Sequence, residues 1–316
     1  MAGMTTNEQN GTPATRDTLG FALLVFAGGA SYGIMGPLIK LVYAAGFTWQ
    51  QAVASQATFA VILFGLVWLF QILRGSKPAP VSKTGIAKLL GVGATSCATT
   101  VLYSIALSLL PVAVAITLLF QFTWVGIVIQ AITTGKAPNK AQVISAVLVV
   151  VGTVFASGFL SSELAATFSP VGIACGLGSS ITVALFMHFS GRVEVGLPPI
   201  QRGFVVCLGA MVLGLVVCPT FIVAGTVIDV APFGVWQGFF ALFLPVILFG
   251  IGTPHLPTGI STVLASSELP CSIVLTFLLL GEGVDALQVA GVVTILLGVV
   301  VSQAPELRAA WEKQRG

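Results

Sequence analysis

Apolar runs, each close to the length of about 20 residues that a helix needs to cross the hydrocarbon core of a bilayer, follow one another along this chain with only short breaks. Ten can be drawn: Leu19 to Ile39, Trp49 to Leu73, Leu89 to Leu110, Val112 to Ile132, Ala141 to Phe159, Val171 to Phe189, Gly203 to Val223, Val235 to Ile251, Thr258 to Leu280 and Ala286 to Ser302. None shows the period-2 alternation of a barrel strand, and in lipid every backbone donor and acceptor must be bonded within the segment or a closed sheet. The sequence therefore predicts an all-α membrane protein of about ten transmembrane helices. Composition agrees: 56% of residues are hydrophobic and 7% charged, with a mean hydropathy of +1.05, against roughly 25% charged residues in soluble domains. Lipid is the solvent such a chain requires, which makes the lipid bilayer its first partner.

Turn chemistry supports the cuts. Pro111, Pro138, Pro170, Pro198, Pro199, Pro254, Pro257, Gly135 and Gly281 stand between runs, where helices end. No connection is long enough for a soluble domain. The polar stretch Met1 to Thr18 lacks the charged, apolar and cleavage regions of a signal peptide and reads as a cytosolic tail. Residues 19–160 and 170–303 then form two five-helix halves, with 304–316 as a second cytosolic tail.

Orientation follows from Lys and Arg, which stay on the cytosolic side of short loops. With the N-terminus inside, every Lys and Arg but Lys40 is cytosolic, while the opposite loops carry Glu163, Asp229, Glu282 and Asp285. This predicts a multi-pass cell-membrane protein with both termini in the cytosol. The basic residues form no patch with interleaved aromatics, so nucleic acid is not an expected partner. Cys97, Cys175, Cys207, Cys218 and Cys271 lie in apolar runs without CxxC spacing and read as small core residues. His188 and His255 are too far apart in sequence for a metal motif, and no GK[ST] phosphate loop follows the glycines. No cofactor or metal is implied.

Two halves of a transporter often enclose the substrate site. A shift of 146 residues lays Pro111 on Pro257, Gly135 on Gly281, Gln142 on Gln288 and Gly152 on Gly298 without a gap. Because it moves five helices, the second copy must be upside down; basic Lys136 and Lys140 are accordingly replaced by acidic Glu282 and Asp285.

The run Ser266-Ser267-Glu268-Leu269-Pro270, the Leu280-Gly281-Glu282 turn and the positions Gln288, Gly291 and Gly298 resemble the ninth and tenth helices of the EamA-type families of the drug/metabolite transporter superfamily. Gly135-Lys136 stands where a Gly-Glu turn is usual in those families, and Gln56 where the second helix often carries an arginine. The resemblance implies ten helices arranged as two inverted five-helix repeats. It also implies secondary transport, often efflux of amino acids, metabolites or drugs, through a cavity lined by helices one to four and six to nine.

Glu268 is the sharpest candidate, a carboxylate well inside an apolar run. It lies about 15 Å beyond Thr258 at about 1.5 Å per residue, near the midplane. An acidic residue there is costly by roughly 2.5 to 3.5 kcal/mol and faces the bundle interior or water. Ser261, Ala265, Ser272 and Thr276 share its helical face, bordered by Leu264 and Leu275. Pro270 cannot donate to the Ser266 carbonyl, so a kink beside the carboxylate is expected. Burial disfavours the charged form of a carboxyl group, so proton exchange or pairing with a cationic substrate at Glu268 is expected; a structural glutamate is the alternative.

Gln121 is the counterpart of Ser267 under the 146-residue shift, with Trp124 on its face. An amide beside an indole suits substrate binding, or else an interhelical hydrogen bond. Tyr32 and Tyr103, each with an apolar body and a polar tip, suit a mixed pocket or core packing. Gln56, Thr99 and Ser180 are weaker candidates. The glycines Gly28-Gly29 and Gly172 to Gly178 read as close-packing positions, and Lys40 as a snorkelling side chain or a recruiter of anionic groups. Together these features predict a transporter of small-molecule substrates with possible proton coupling, and not an enzyme. A passive channel or facilitator is the first alternative and a lipid-modifying membrane enzyme the second; the chain lacks the paired acids or metal cluster the enzyme would need.

Overall fold

A computed structural model describes residues 13–135, 137–156, 169–190, 192–194, 196–222, 226–252, 255, 264–281 and 283–315. Among them there is no strand. The helices are α1 (Pro13–Gly33), α2 (Met35–Ala44), α3 (Trp49–Leu73), α4 (Lys83–Leu109), α5 (Val112–Leu119), α6 (Phe122–Thr134), α7 (Lys140–Ala156), α8 (Pro170–Ser190) and α9 (Pro199–Val217). α10 (Thr226–Gly238), a π-helical turn (Phe239–Phe243), α11 (Leu244–Gly252), α12 (Glu268–Leu280) and α13 (Ala286–Arg315) follow. Seven helical stretches among the described residues are long and apolar enough to cross a membrane, and Lys140–Ala156, Glu268–Leu280 and Ala286–Val301 are shorter apolar helices. The exterior carries exposed Leu66, Phe70, Val147, Val212, Phe277 and Leu278, the reverse of a soluble surface, while Ser55, Ser104, Gln237 and Ser272 are fully buried. The molecule is a membrane-embedded helical bundle.

Helices occupy the described parts of the expected segments, with differences that have physical causes. The first is broken at Ile34, because Pro37 cannot donate to the Gly33 carbonyl. The fourth is two helices parted by a turn at Phe120 and Gln121. The ninth does not run through Pro270 as a kinked helix; it breaks one turn earlier, at Ser266 and Ser267, so Pro270 falls in the first turn of α12, where no intrahelical donor is missed. The Ser266 carbonyl expected to be freed instead accepts from the Leu269 N–H (3.2 Å). The eighth contains the π-helical turn just before Pro245, and Ser31 Oγ donates to the Phe240 carbonyl there (2.7 Å). The expectations on residues 1–12, Lys136, Glu163, 256–263 and Glu282 lie outside the described residues.

Two stretches 146 residues apart share one local architecture. At the first break the N–H groups of Gln121, Thr123 and Val125 donate to the carbonyls of Leu118, Phe120 and Gln121; at the second, those of Ser267, Leu269 and Cys271 donate to Leu264, Ser266 and Ser267. The helices that follow, α6 and α12, are each 13 residues long. They end on Gly135 (φ 66°) and Gly281 (φ 67°), left-handed positions that only glycine adopts without strain. Next come reciprocal capping boxes. The Gln142 N–H donates to Asn139 Oδ1 and the Asn139 N–H to Gln142 Oε1, both at 2.9 Å; Gln288 and Asp285 repeat this at 2.7 and 3.1 Å.

The packing repeats as well. α4 lies on α8 and on α9, α6 lies on α8, α3 lies on α9, and α7 lies on α13. Exchanging α1 with α8, α3 with α9, α4 with α10–α11, α6 with α12 and α7 with α13 turns these pairs into α11 on α1, α10 on α3 and α12 on α1, which are also in contact, while the last two pairs map onto themselves.

Candidate functional site at a broken helix

Glu268 is the first residue of α12, immediately after the break, and its side chain is half-buried. Close backbone approach from α1 sets its surroundings. A Cβ on Gly33 would lie 2.7 Å from the Glu268 carbonyl oxygen, and one on Gly29 would overlap the Ala265 carbonyl oxygen and Ser267 Oγ. Only glycines let α1 lie this near the irregular backbone, so the close-packing reading of Gly29 fits, and Gly33 is a further position that the sequence reading missed. The Ser267 hydroxyl donates to the Phe26 carbonyl of α1 (2.8 Å), so Ser267 fastens the break to α1. Its lone donor hydrogen is thereby committed.

Tyr32 on α1 and Tyr103 on α4 both lie within electrostatic reach of Glu268. Tyr103 is buried and its hydroxyl is 3.1 Å from where a Cβ on Gly36 would stand; Tyr32 stacks on Phe249 with centroids 6.1 Å apart. One carboxyl group and two tyrosines thus lie in the region where two broken helices meet. Such a constellation suits a cationic or zwitterionic group, because the carboxylate supplies the charge and the rings supply an apolar, polarisable wall.

Gln121 and Trp124 are bonded to each other and to neighbours on α5 and α7. Gln121 Nε2 donates to Thr153 Oγ1 on α7 and to the Thr117 carbonyl, and the Trp124 indole N–H donates to Gln121 Oε1 (2.8 Å). The amide is fully engaged in an interhelical hydrogen-bonded cluster, the second of the two roles open to it in the sequence. Trp124 packs against the main apolar core.

Among the weaker candidates, Thr99 Oγ1 donates to Thr182 Oγ1 across α4 and α8 (2.9 Å), and Ser180 bonds to its own helix through the Leu177 carbonyl. Gln56 is buried, its Oε1 has no partner among the described residues, and it lines a cavity of about 10 Å³ with Ser96, Cys97 and Thr100. A larger cavity of about 580 Å³ is lined by Lys40, Pro111, Ala113, Ile273, Thr276, Gly283, Val284, Asp285 and Gln288. One further signal in the sequence bears on the α1 side of the site: Pro37 within an apolar run, which marks a helix break opposite that of α12.

All five cysteines are free thiols. Among the described residues no group of three or more His, Cys, Asp or Glu is placed to hold a metal ion. His255 is exposed and stacks on Phe21 with centroids 3.9 Å apart.

No protein-family model matches the chain, and no curated protein does. A solved crystal structure, of a protein described without an activity, is similar to it with a TM-score of 0.59 at 16% identity, over 92% of this chain and 99% of the other. That likeness extends across nearly the whole of both chains and concerns the fold.

Proposed function

We propose that the protein is a secondary active transporter that exports small solutes such as amino acids, metabolites or amphipathic drugs by alternating access, with proton exchange at Glu268. The observation that carries the proposal is the position of Glu268: an acidic residue at the break of an apolar helix, its backbone packed against α1 near the break in that helix, with Tyr32 and Tyr103 within electrostatic reach. A group so expensive to hold in lipid is retained where it binds or exchanges something. Broken helices beside the site fit alternating access, because their unwound backbone lines cavities and allows one half to move on the other.

The seven long and three shorter apolar helices fit ten spans. The 146-residue correspondence and the exchange of packing pairs favour two inverted five-helix repeats, the layout implied by the EamA-type resemblance. The distribution of Lys and Arg favours both termini in the cytosol of a cell membrane.

The test is transport in proteoliposomes of a panel of amino acids and small organic cations under an imposed pH gradient. At least one solute is expected to accumulate against its own gradient when the proton gradient is present and to equilibrate when it is absent. Movement that no gradient drives uphill would identify a passive facilitator, and no movement of any solute would remove the transport reading.

A further inference from the structure

We propose that the cavity where α13 begins binds the headgroup of a zwitterionic phospholipid with a primary ammonium group, its phosphate held by Lys40 and Gln288 and its ammonium by Asp285.

The cavity of about 580 Å³ lies within the range of about 300 to 1,000 Å³ usual for small-molecule sites, and its walls carry opposite charges. Lys40 of α2 and the start of α5, at Pro111 and Ala113, form one part of the lining. The first-turn N–H groups of a helix have no acceptor within it, so this end of α5 adds partial positive charge to that of Lys40. Asp285 and Gln288, at the start of α13, form another part.

Both side chains at the start of α13 keep capacity beyond their capping box. Gln288 is only 7% exposed. Its Oε1 accepts from the Asp285 N–H (3.1 Å), which fixes the amide orientation, because only the oxygen can accept. Nε2 is thereby turned the other way and donates to no group among the described residues. Buried amide donors are almost always satisfied by protein, water or ligand, and the space beside this one is the cavity. Asp285 Oδ1 accepts from the Gln288 N–H (2.7 Å), which leaves Oδ2 outside the cap. The cap does not require the charge: Asn139 makes the same pair of bonds with Gln142 in the first half. A lysine and an open amide N–H suit a phosphate, and a carboxylate suits an ammonium.

The place of the cavity selects a lipid. It lies where α12 ends on Gly281 and α13 starts, at the ends of two apolar helices, which is the level of headgroups. Beside the lining residues of these helices, Phe277, Leu278, Leu287 and Val289 are exposed. Acyl chains cover those faces while their headgroups reach the cavity. Ala113, Ile273 and Val284 offer apolar surface to the glycerol region. A primary ammonium donates N–H bonds to Asp285 that a choline cannot, and a purely anionic headgroup brings Asp285 no partner.

The experiment measures apparent dissociation constants of dioleoyl phosphatidylethanolamine, phosphatidylcholine and phosphatidylglycerol for the full chain in detergent micelles, by native mass spectrometry. Phosphatidylethanolamine is expected to bind about tenfold more tightly than either of the others, the worth of one charge-assisted hydrogen bond. Asp285→Asn, which keeps the cap as Asn139 does, is expected to bring it to the level of phosphatidylcholine. Lys40→Gln is expected to weaken all three lipids, and Lys77→Gln, an exposed cation in the loop after α3, to change none. Thermal unfolding in the same micelles checks each fold, and the wild-type ranking with Asp285→Asn decides the matter should Lys40→Gln not fold. Equal affinity for the three lipids, a preference that survives Asp285→Asn, or a loss in Lys77→Gln as large as in folded Lys40→Gln would overturn the proposal. Displacement of bound phosphatidylethanolamine by free leucine would show that the cavity takes a solute and would overturn the lipid assignment. Binding is read without transport, so its outcome is independent of the role of Glu268.

Discussion

The break at Gln121 and the break at Ser267 are the same piece of backbone used for two purposes. Their hydrogen bonds correspond one for one, the helices after them are equally long, and the glycine turns and capping boxes that follow fall at the same spacing. What differs is the chemistry hung on them. At the first, the polar side chain is spent on its neighbours: Gln121 is bonded to Thr153, Thr117 and Trp124, and the next residue is Phe122, packed against the core. At the second, Ser267 uses its hydroxyl to hold α1, and the next residue is Glu268, within electrostatic reach of two tyrosines. The same backbone carries a hydrogen-bonded amide cluster at one break and an acidic side chain at the other. Proline does not make the break, since Trp124 stands where Pro270 stands and the turn forms in both places.

The largest expected effect separates the halves directly. Glu268→Gln is expected to abolish gradient-driven solute movement, whereas Gln121→Leu is expected to keep it, as read by transport rates in proteoliposomes. Next comes the transplant. Phe122→Glu, which gives the first break the residue of the second, places a carboxylate in a cluster with no polar partner supplied and is expected to cost about 2.5 to 3.5 kcal/mol, measured by reversible unfolding in mixed micelles. If the variant is as stable as wild type, the two environments are less different than their side chains indicate.

A smaller effect tests what the halves share. Gly291→Ala would drive a Cβ into the Ala156 backbone nitrogen on α7, and overpacking of this kind typically costs about 1 to 3 kcal/mol; stability should fall while the ratio of transport with and without a gradient stays unchanged. Smallest are the caps. Asn139→Ala and Asp285→Ala each remove one half of a capping box and are each expected to lower stability by about 1 kcal/mol, as read by the same unfolding measurement.

Much of this was legible in the sequence. Apolar run lengths located the helices, and Gly135, Gly281, Gln142 and Gln288 revealed the repeated hairpin, because glycine turns and capping residues are local signals that need no tertiary context. Glu268 stood out because charge in an apolar run is rare. Less legible were the breaks themselves. Hydrophobicity is indifferent to a turn at Phe120 and Gln121, and Pro270 suggested a kink where the chain breaks a turn earlier. The approach of Gly33 and Gly36 to α12 and the commitment of Gln121 to Thr153 depend on which helix lies beside which, information a single sequence carries only weakly.

The central claim is that Glu268 exchanges a proton for solute. It is tested most directly by loading proteoliposomes with a solute that the protein transports and recording internal pH, without an imposed gradient, when solute is allowed to move. Wild type is expected to move protons opposite to the solute at a fixed ratio, and Glu268→Gln to move none. Solute movement in wild type without any pH change, or an undiminished pH change in Glu268→Gln, would contradict it.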